Sequence, residues 1–250
     1  NLETIEFGPN LETIGDHAFS ECIALKTLNI PDSVQTIGVN AFYHNTALAS
    51  VSFGTGLTMI DECAFYNCPE LRTVEFREFD TPILTISKFA FANAVKLTTL
   101  KFSESLKTIN YGAFSGCTAL ETLTLPDSLT EIVGAVNYGN GIGAFANCSA
   151  LKSVKFGNGL VTIGNGWPSS NMYEIDLNAE TGAFGNCGNL ETVEFGSNLK
   201  TIGHHAFSEC GHLKALTIPD SVTTIGVNCF YNNIRLTKVT FGADLQSIGA

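Results

Sequence analysis

The sequence is poor in the features that mark most familiar functions. Basic residues are scarce: Lys and Arg total 13 against 24 Asp and Glu, giving a net charge of −11 and a pI near 4.8. That balance argues against a nucleic-acid backbone or an anionic membrane as the main partner. It suits an exposed rod kept soluble by its acidic excess. No apolar run approaches the roughly 18 residues needed to span a bilayer, so no membrane insertion is expected within this stretch. A charged-then-apolar leader is also missing at Asn1. The chain opens inside a repeat and stops at Ala250 partway through another, so it is expected to be part of a longer chain.

Catalytic signatures are missing too. GxSxG, GxxxxGK[ST] and HExxH do not occur. Acid pairs such as Glu3/Glu6 and Glu191/Glu194 flank a strand position and have no evident environment to shift their ionisation. No enzyme is expected, and no cofactor. Cys63 and Cys68 lack the paired CxxC spacing of a zinc site, so no metal is expected either.

What the chain has in abundance is one unit. Residues 25–47, LKTLNIPDSVQTIGVNAFYHNTA, carry a skeleton that restarts at Leu2, Leu25, Leu48, Leu71, Leu97, Leu120, Leu151, Leu190, Leu213 and Leu236. Six of those nine steps are 23 residues long and the others are 26, 31 and 39. A period in this range marks a solenoid, whose units bury their apolar side by stacking on one another. One array of about ten units over 1–250 is expected, with insertions near 77–82, 133–143 and 164–182.

Each unit reads in three parts. The first, as in LKTLNIP, alternates like a strand and ends at Pro31 or its equivalents Pro126 and Pro219, because proline cannot continue a ladder. The second, VQTIG, is a shorter strand or extended turn closed by glycine. The third, NAFYHN, is too short for a full helix and is expected to be a helical turn.

The pattern LxxIxhxxxLxxIGxxAFxxCxx resembles the BspA-type, or Treponema-type, leucine-rich repeat over essentially the whole of 1–250. The resemblance implies a repeat solenoid: a right-handed, β-rich superhelix with short helical turns, a parallel sheet along its concave face and short strands on the other side. It also implies a surface protein of the kind bacteria and some parasitic protists use for attachment. The Phe column of Phe19, Phe42, Phe65, Phe91, Phe114, Phe145, Phe184, Phe207 and Phe230 fits the family's inner spine. So does the terminal column of Cys22, Asn45, Cys68, Ala94, Cys117, Cys148, Cys187, Cys210 and Asn233.

Neighbouring column cysteines fall within reach of a disulfide, since coils lie about 4.8 Å apart. Stacked side chains nevertheless point the same way, and Asn and Ala replace Cys in the column. Free buried thiols are therefore expected. His17 and His205 hold the same repeat position many coils apart, so they cannot share a site. With His204 and His212, His205 is expected to decorate turns.

Two surfaces remain free for recognition. The outward column of the first strand varies in charge through Glu6, Asn29, Glu75, Lys101, Lys155 and Glu194, and this concave face is one candidate. The other is a loop edge made by the two longest insertions, with candidate residues Tyr138, Asn140, Trp167, Asn171 and Tyr173. These insertions interrupt the same junction in adjacent coils, and such interruptions often sit on the binding side of repeat proteins. Residues 1–45 match 189–233 at 34 of 45 positions, which suggests block duplication. The expectation is a monomeric, non-enzymatic module at the cell surface that binds a protein or glycan on a host or neighbouring cell. A spacer without its own ligand and an intracellular scaffold are the alternatives.

Overall fold

The structure, a computed structural model, describes residues 2–77, 84–134, 142–164 and 182–249. The chain winds into a parallel β-solenoid in which each coil repeats strand, tight turn, short strand and compact turn. In the strand Thr27–Asn29, Leu28 points inward while Thr27 and Asn29 point out. Stacking a coil on its copy places like on like: Thr27 pairs with Ser50, Leu28 with Val51 and Asn29 with Ser52. Every strand pairing among the described residues is parallel and nearly all are in register. One shift occurs between Leu84 and Thr85, just after the first insertion.

The two strand columns differ in continuity. The short second strands, such as Thr13–Ile14 and Thr36–Ile37, form one sheet of ten strands along the whole stack. The first strands form three separate sheets of four, three and two strands. The breaks fall between Thr99–Lys101 and Thr122–Thr124, and between Thr192–Glu194 and Ala215–Thr217. On the N-terminal side of these breaks, Leu100, Phe102, Val193 and Phe195 are only partly buried, whereas Leu28, Val51 and Val74 are fully enclosed.

The third segment is a tandem of tight turns, and no helix occurs among the described residues. In most coils two residues, four apart, adopt left-handed backbone, as do His17 and Glu21, Asn40 and His44, Cys63 and Asn67, Phe89 and Asn93. The amides of His17, Phe19 and Glu21 then reach Val39, Ala41 and Tyr43 of the next coil at 2.8–2.9 Å. Those of Ala18 and Ser20 close local turns instead. A helical turn would keep all these amides inside one coil. The alternation sends half of them to the neighbour, which offsets the roughly 1–2 kcal/mol that a left-handed residue costs.

The core is an aromatic spine. Phe42, Phe65, Phe91, Phe114, Phe145, Phe184 and Phe207 are fully buried. Successive rings from Phe19 to Phe207 lie nearly parallel with centroids 5.0–5.4 Å apart. A second column meets them edge-on: Phe53 against Phe65 at 5.6 Å and Phe156 against Phe184 at 5.5 Å. Both arrangements are favoured by the ring quadrupole when stacked rings are offset.

All eight cysteines are free thiols, as the column argument requires. The thiols of Cys68, Cys117, Cys148, Cys187 and Cys210 donate to the carbonyls of Phe42, Phe91, Phe114, Phe145 and Phe184 at 3.3–3.6 Å. Asn45 and Asn233 do the same through Nδ2, to Phe19 and Phe207 at 3.0 and 2.8 Å. Burial pushes the Cys68 and Cys210 thiols up to about 12, so both keep their proton at neutral pH. The column therefore selects a small buried donor, which Cys and Asn share. Asn carries a cost, because its Oδ1 is buried without a partner at both positions. Ala94 cannot donate at all. The variant Ala94→Cys should stabilise the fold by about 1 kcal/mol, seen as a higher urea midpoint; an unchanged or lower midpoint would show that the thiol bond adds nothing.

Candidate functional site

The outward face of the first strands is the most regular surface the fold exposes. Strand alternation turns the side chains two apart away from the core, so column positions recur from coil to coil. Asn29, Lys101, Lys155 and Glu194 are exposed there and Glu75 is half-buried, while Glu6 is exposed at the matching position of the first coil, where no strand forms. The structure brings four of them together in pairs. Glu75 and Lys101 bond across one step at 2.7 Å, and Lys155 and Glu194 approach to 4.0 Å across another. Glu6 and Asn29 lie in the first two coils, away from both pairs.

Beside this column runs a second set of charges. Lys152 meets Glu121 at 2.8 Å, and Glu70 receives both Arg72 at 3.1 Å and Lys96. The Lys96 ammonium, bonded to it, and then the Arg72 charge hold the Glu70 carboxyl below its ordinary range. These groups are exposed, so each pair adds little to stability. Their effect is to leave a mixed-sign strip without a field of one sign.

Adjacent-coil ion pairs share a placement that the columns alone did not reveal. Glu62–Lys88, Glu70–Lys96 and Glu75–Lys101 join residues 26 apart, Glu121–Lys152 joins residues 31 apart and Lys155–Glu194 residues 39 apart. Among the described residues, each of them straddles an insertion. The signal was present in sequence as complementary charges at matched positions of the longer units.

The loop-edge residues Tyr138, Asn140, Trp167, Asn171 and Tyr173 lie outside the described residues. The bases of the two long insertions are described, and they stack. Val133 donates to Ile109 and Gly164 to Ile132, both at 2.8 Å, where the chain leaves the coil. Where it returns, Gly143 sits directly against the Gly182 carbonyl, and Gly182 against the His205 backbone. These bases follow the second strands Glu131–Ile132 and Thr162–Ile163, so the loop edge and the charged strip start from different sheets. The first insertion, between Arg77 and Leu84, leaves from a third place, the turn joining the two strands.

His17 and His205 hold left-handed turn positions, with φ of 56° and 53°. Among the described residues no cluster of three or more His, Cys, Asp or Glu is arranged to hold a metal ion, and no helix is long and apolar enough to cross a membrane. A shallow groove of about 670 Å³ runs over the first three coils, lined by Asn10, Glu12, Asp32, Gln35 and Thr58.

The in-register parallel coils, single aromatic spine and two strand columns define a leucine-rich-repeat solenoid. The chain belongs to the BspA-type leucine-rich-repeat family, whose pattern matches residues 1–84, 84–165, 140–179 and 169–250. No curated protein matches it. Among solved structures it is similar to a leucine-rich repeat protein from Eubacterium ventriosum, at 18% identity and a TM-score of 0.55 over 96% of this chain and 78% of that one. It also resembles the Treponema pallidum leucine-rich repeat protein, at 22% identity and 0.47 over 81% and 72%. The pneumococcal vaccine antigen PcpA matches at 21% identity and 0.43 over 96% and 71%. At these identities the first of the three supports the fold and nothing finer.

Proposed function

We propose that this array is a non-enzymatic binding module of a cell-surface protein. In this reading it presents its first-strand face, and the edge carrying the long insertions, to a protein or glycan on a host or neighbouring cell. The observation that carries the reading is the mixed-charge strip from Glu70 to Glu194. The core asks only for alternation there, and the charged side chains stand free of it. Mixed-sign surfaces select partners by complementarity and suppress wrong ones, while contributing little to the fold. The BspA-type resemblance implies attachment, and so supports both the surface location and the absence of chemistry.

The double variant Lys101→Glu and Lys155→Glu reverses two strip charges at exposed positions. Binding to host-cell extracts or a glycan array should fall at least about tenfold, with stability changed by under about 1 kcal/mol. Unchanged binding would remove the strip. The same assay on Trp167→Ala and on a deletion of residues 169–180 tests the loop edge. A spacer role is the second reading, favoured by the near-copy blocks 1–45 and 189–233; an array that binds nothing at high concentration would support it.

A further inference from the structure

The duplicated blocks differ at a joint. In the first, the Asp16 carboxylate accepts a hydrogen bond from the Val39 backbone N–H of the next coil at 2.8 Å. In the second the same position is His204, whose Nδ1 accepts from the Val227 N–H at 2.9 Å. Accepting at Nδ1 places the neutral ring's proton on Nε2. An imidazolium carries protons on both nitrogens and accepts nothing, so charging His204 leaves the Val227 N–H facing another N–H. We infer that His204 is an acid-sensitive latch between the coil begun at Leu190 and the coil begun at Leu213.

Three observations converge on this joint. The first-strand sheet is interrupted at the same step, so less backbone pairing holds the two coils there. The adjacent His205 is buried in a left-handed turn, with its Nε2 lacking any partner. A proton on His205 would be a buried charge without an acceptor, so His205 cannot relieve its neighbour. Burial holds both rings below the ordinary histidine range, with the His204 charge adding to the effect on His205.

The neighbours that the structure places against the pair carry no charge: Gly226 and Val227 face it from the following coil, and Gly182 lies against the His205 backbone from the preceding one. Glu209 sits at the far end of the same turn, where Asn232 Nδ2 binds its carboxylate at 2.6 Å. Because the folded rings titrate below the free value of about 6.5, the unfolded state takes up more protons. The latch is therefore fully engaged above about pH 6.5 and weakens as pH falls through and below that value. Asp16 presents a carboxyl group, which keeps an oxygen able to accept in either protonation state, so its bond to the Val39 N–H is not lost in this way.

Amide-resolved hydrogen exchange at about pH 7.5 and about pH 5.5, corrected for intrinsic rates, tests the latch. Protection of Val227 is expected to fall about tenfold on acidification while that of Val39 holds. His204→Asp installs the residue found at the matching position of the other block, so it should fold and lose the acid response. Asp16→His should confer the response on Val39. Equal behaviour of the two amides in the wild type, or an acid response that survives His204→Asp, would overturn the inference.

Discussion

The Phe114→Ala variant is expected to lose about 3–5 kcal/mol of folding free energy, read as a lower urea midpoint. Phe114 is fully buried in a middle coil. Its ring stacks on Phe91 and Phe145, each at 5.2 Å, and meets Phe102 edge-on at 5.7 Å. Removing it deletes contacts with three coils and leaves a void between rings whose spacing is set by backbone pairing on both sides. That pairing prevents collapse, so the full cavity cost should appear. Phe230, which is only partly buried and sits 6.3 Å from Phe207, should lose markedly less on the same change. A loss below about 1 kcal/mol at Phe114 would mean that the Phe column is not the spine.

Gly143→Ala is expected to cost about 2–3 kcal/mol although it adds a single methyl group. At the matching position of other coils, His17, Asn40, Cys63 and Phe89 carry side chains by turning left-handed. Gly143 does not share that conformation. A β-carbon there would run into the carbonyl of Gly182 in the next coil, where the neighbour is backbone and cannot swing aside. The variant must either push the coils apart at the base of both long insertions or convert to the left-handed form, at roughly 1–2 kcal/mol. Circular dichroism during thermal melting would register the change. Wild-type stability would show that the two bases do not stack.

The repeat made most of the fold legible. Leu25, Leu28, Ile30, Val34, Ile37 and Phe42 announce buried columns by recurring, and each of them is buried. The free thiols also followed from the replacements at Asn45 and Ala94. What those replacements concealed was a shared task, since Cys and Asn both donate to the Phe carbonyl of an adjacent coil. The third segment was harder. Ala-Phe beside small polar residues looks like a helical turn, and the signal against it was the recurrence of Asn and Gly at Asn40, Asn67, Asn93 and Gly116, types that tolerate left-handed backbone. The second strand, two residues long in most units, proved to be the unbroken one, because continuity depends on pairing between coils and not on length within a coil.

The candidate site was legible as a set of positions but not as an arrangement. Glu75 and Lys101, and likewise Lys155 and Glu194, read as varying charge along a column. Their pairing needs the actual spacing between coils, which the insertions disguise in sequence.

The interruptions in the first-strand sheet have a mechanical consequence. In a linear array each coil is held only by its two neighbours, so resistance to unwinding is set link by link. The steps after Lys101 and after Glu194 lack the first-strand ladder and are held by the second-strand ladder and the turn bonds, and the partly buried Leu100 and Val193 mark the seams. Under load or denaturant the rod should therefore open at these seams, and at the first coil, whose residues 2–7 form no strand either, before its fully paired steps.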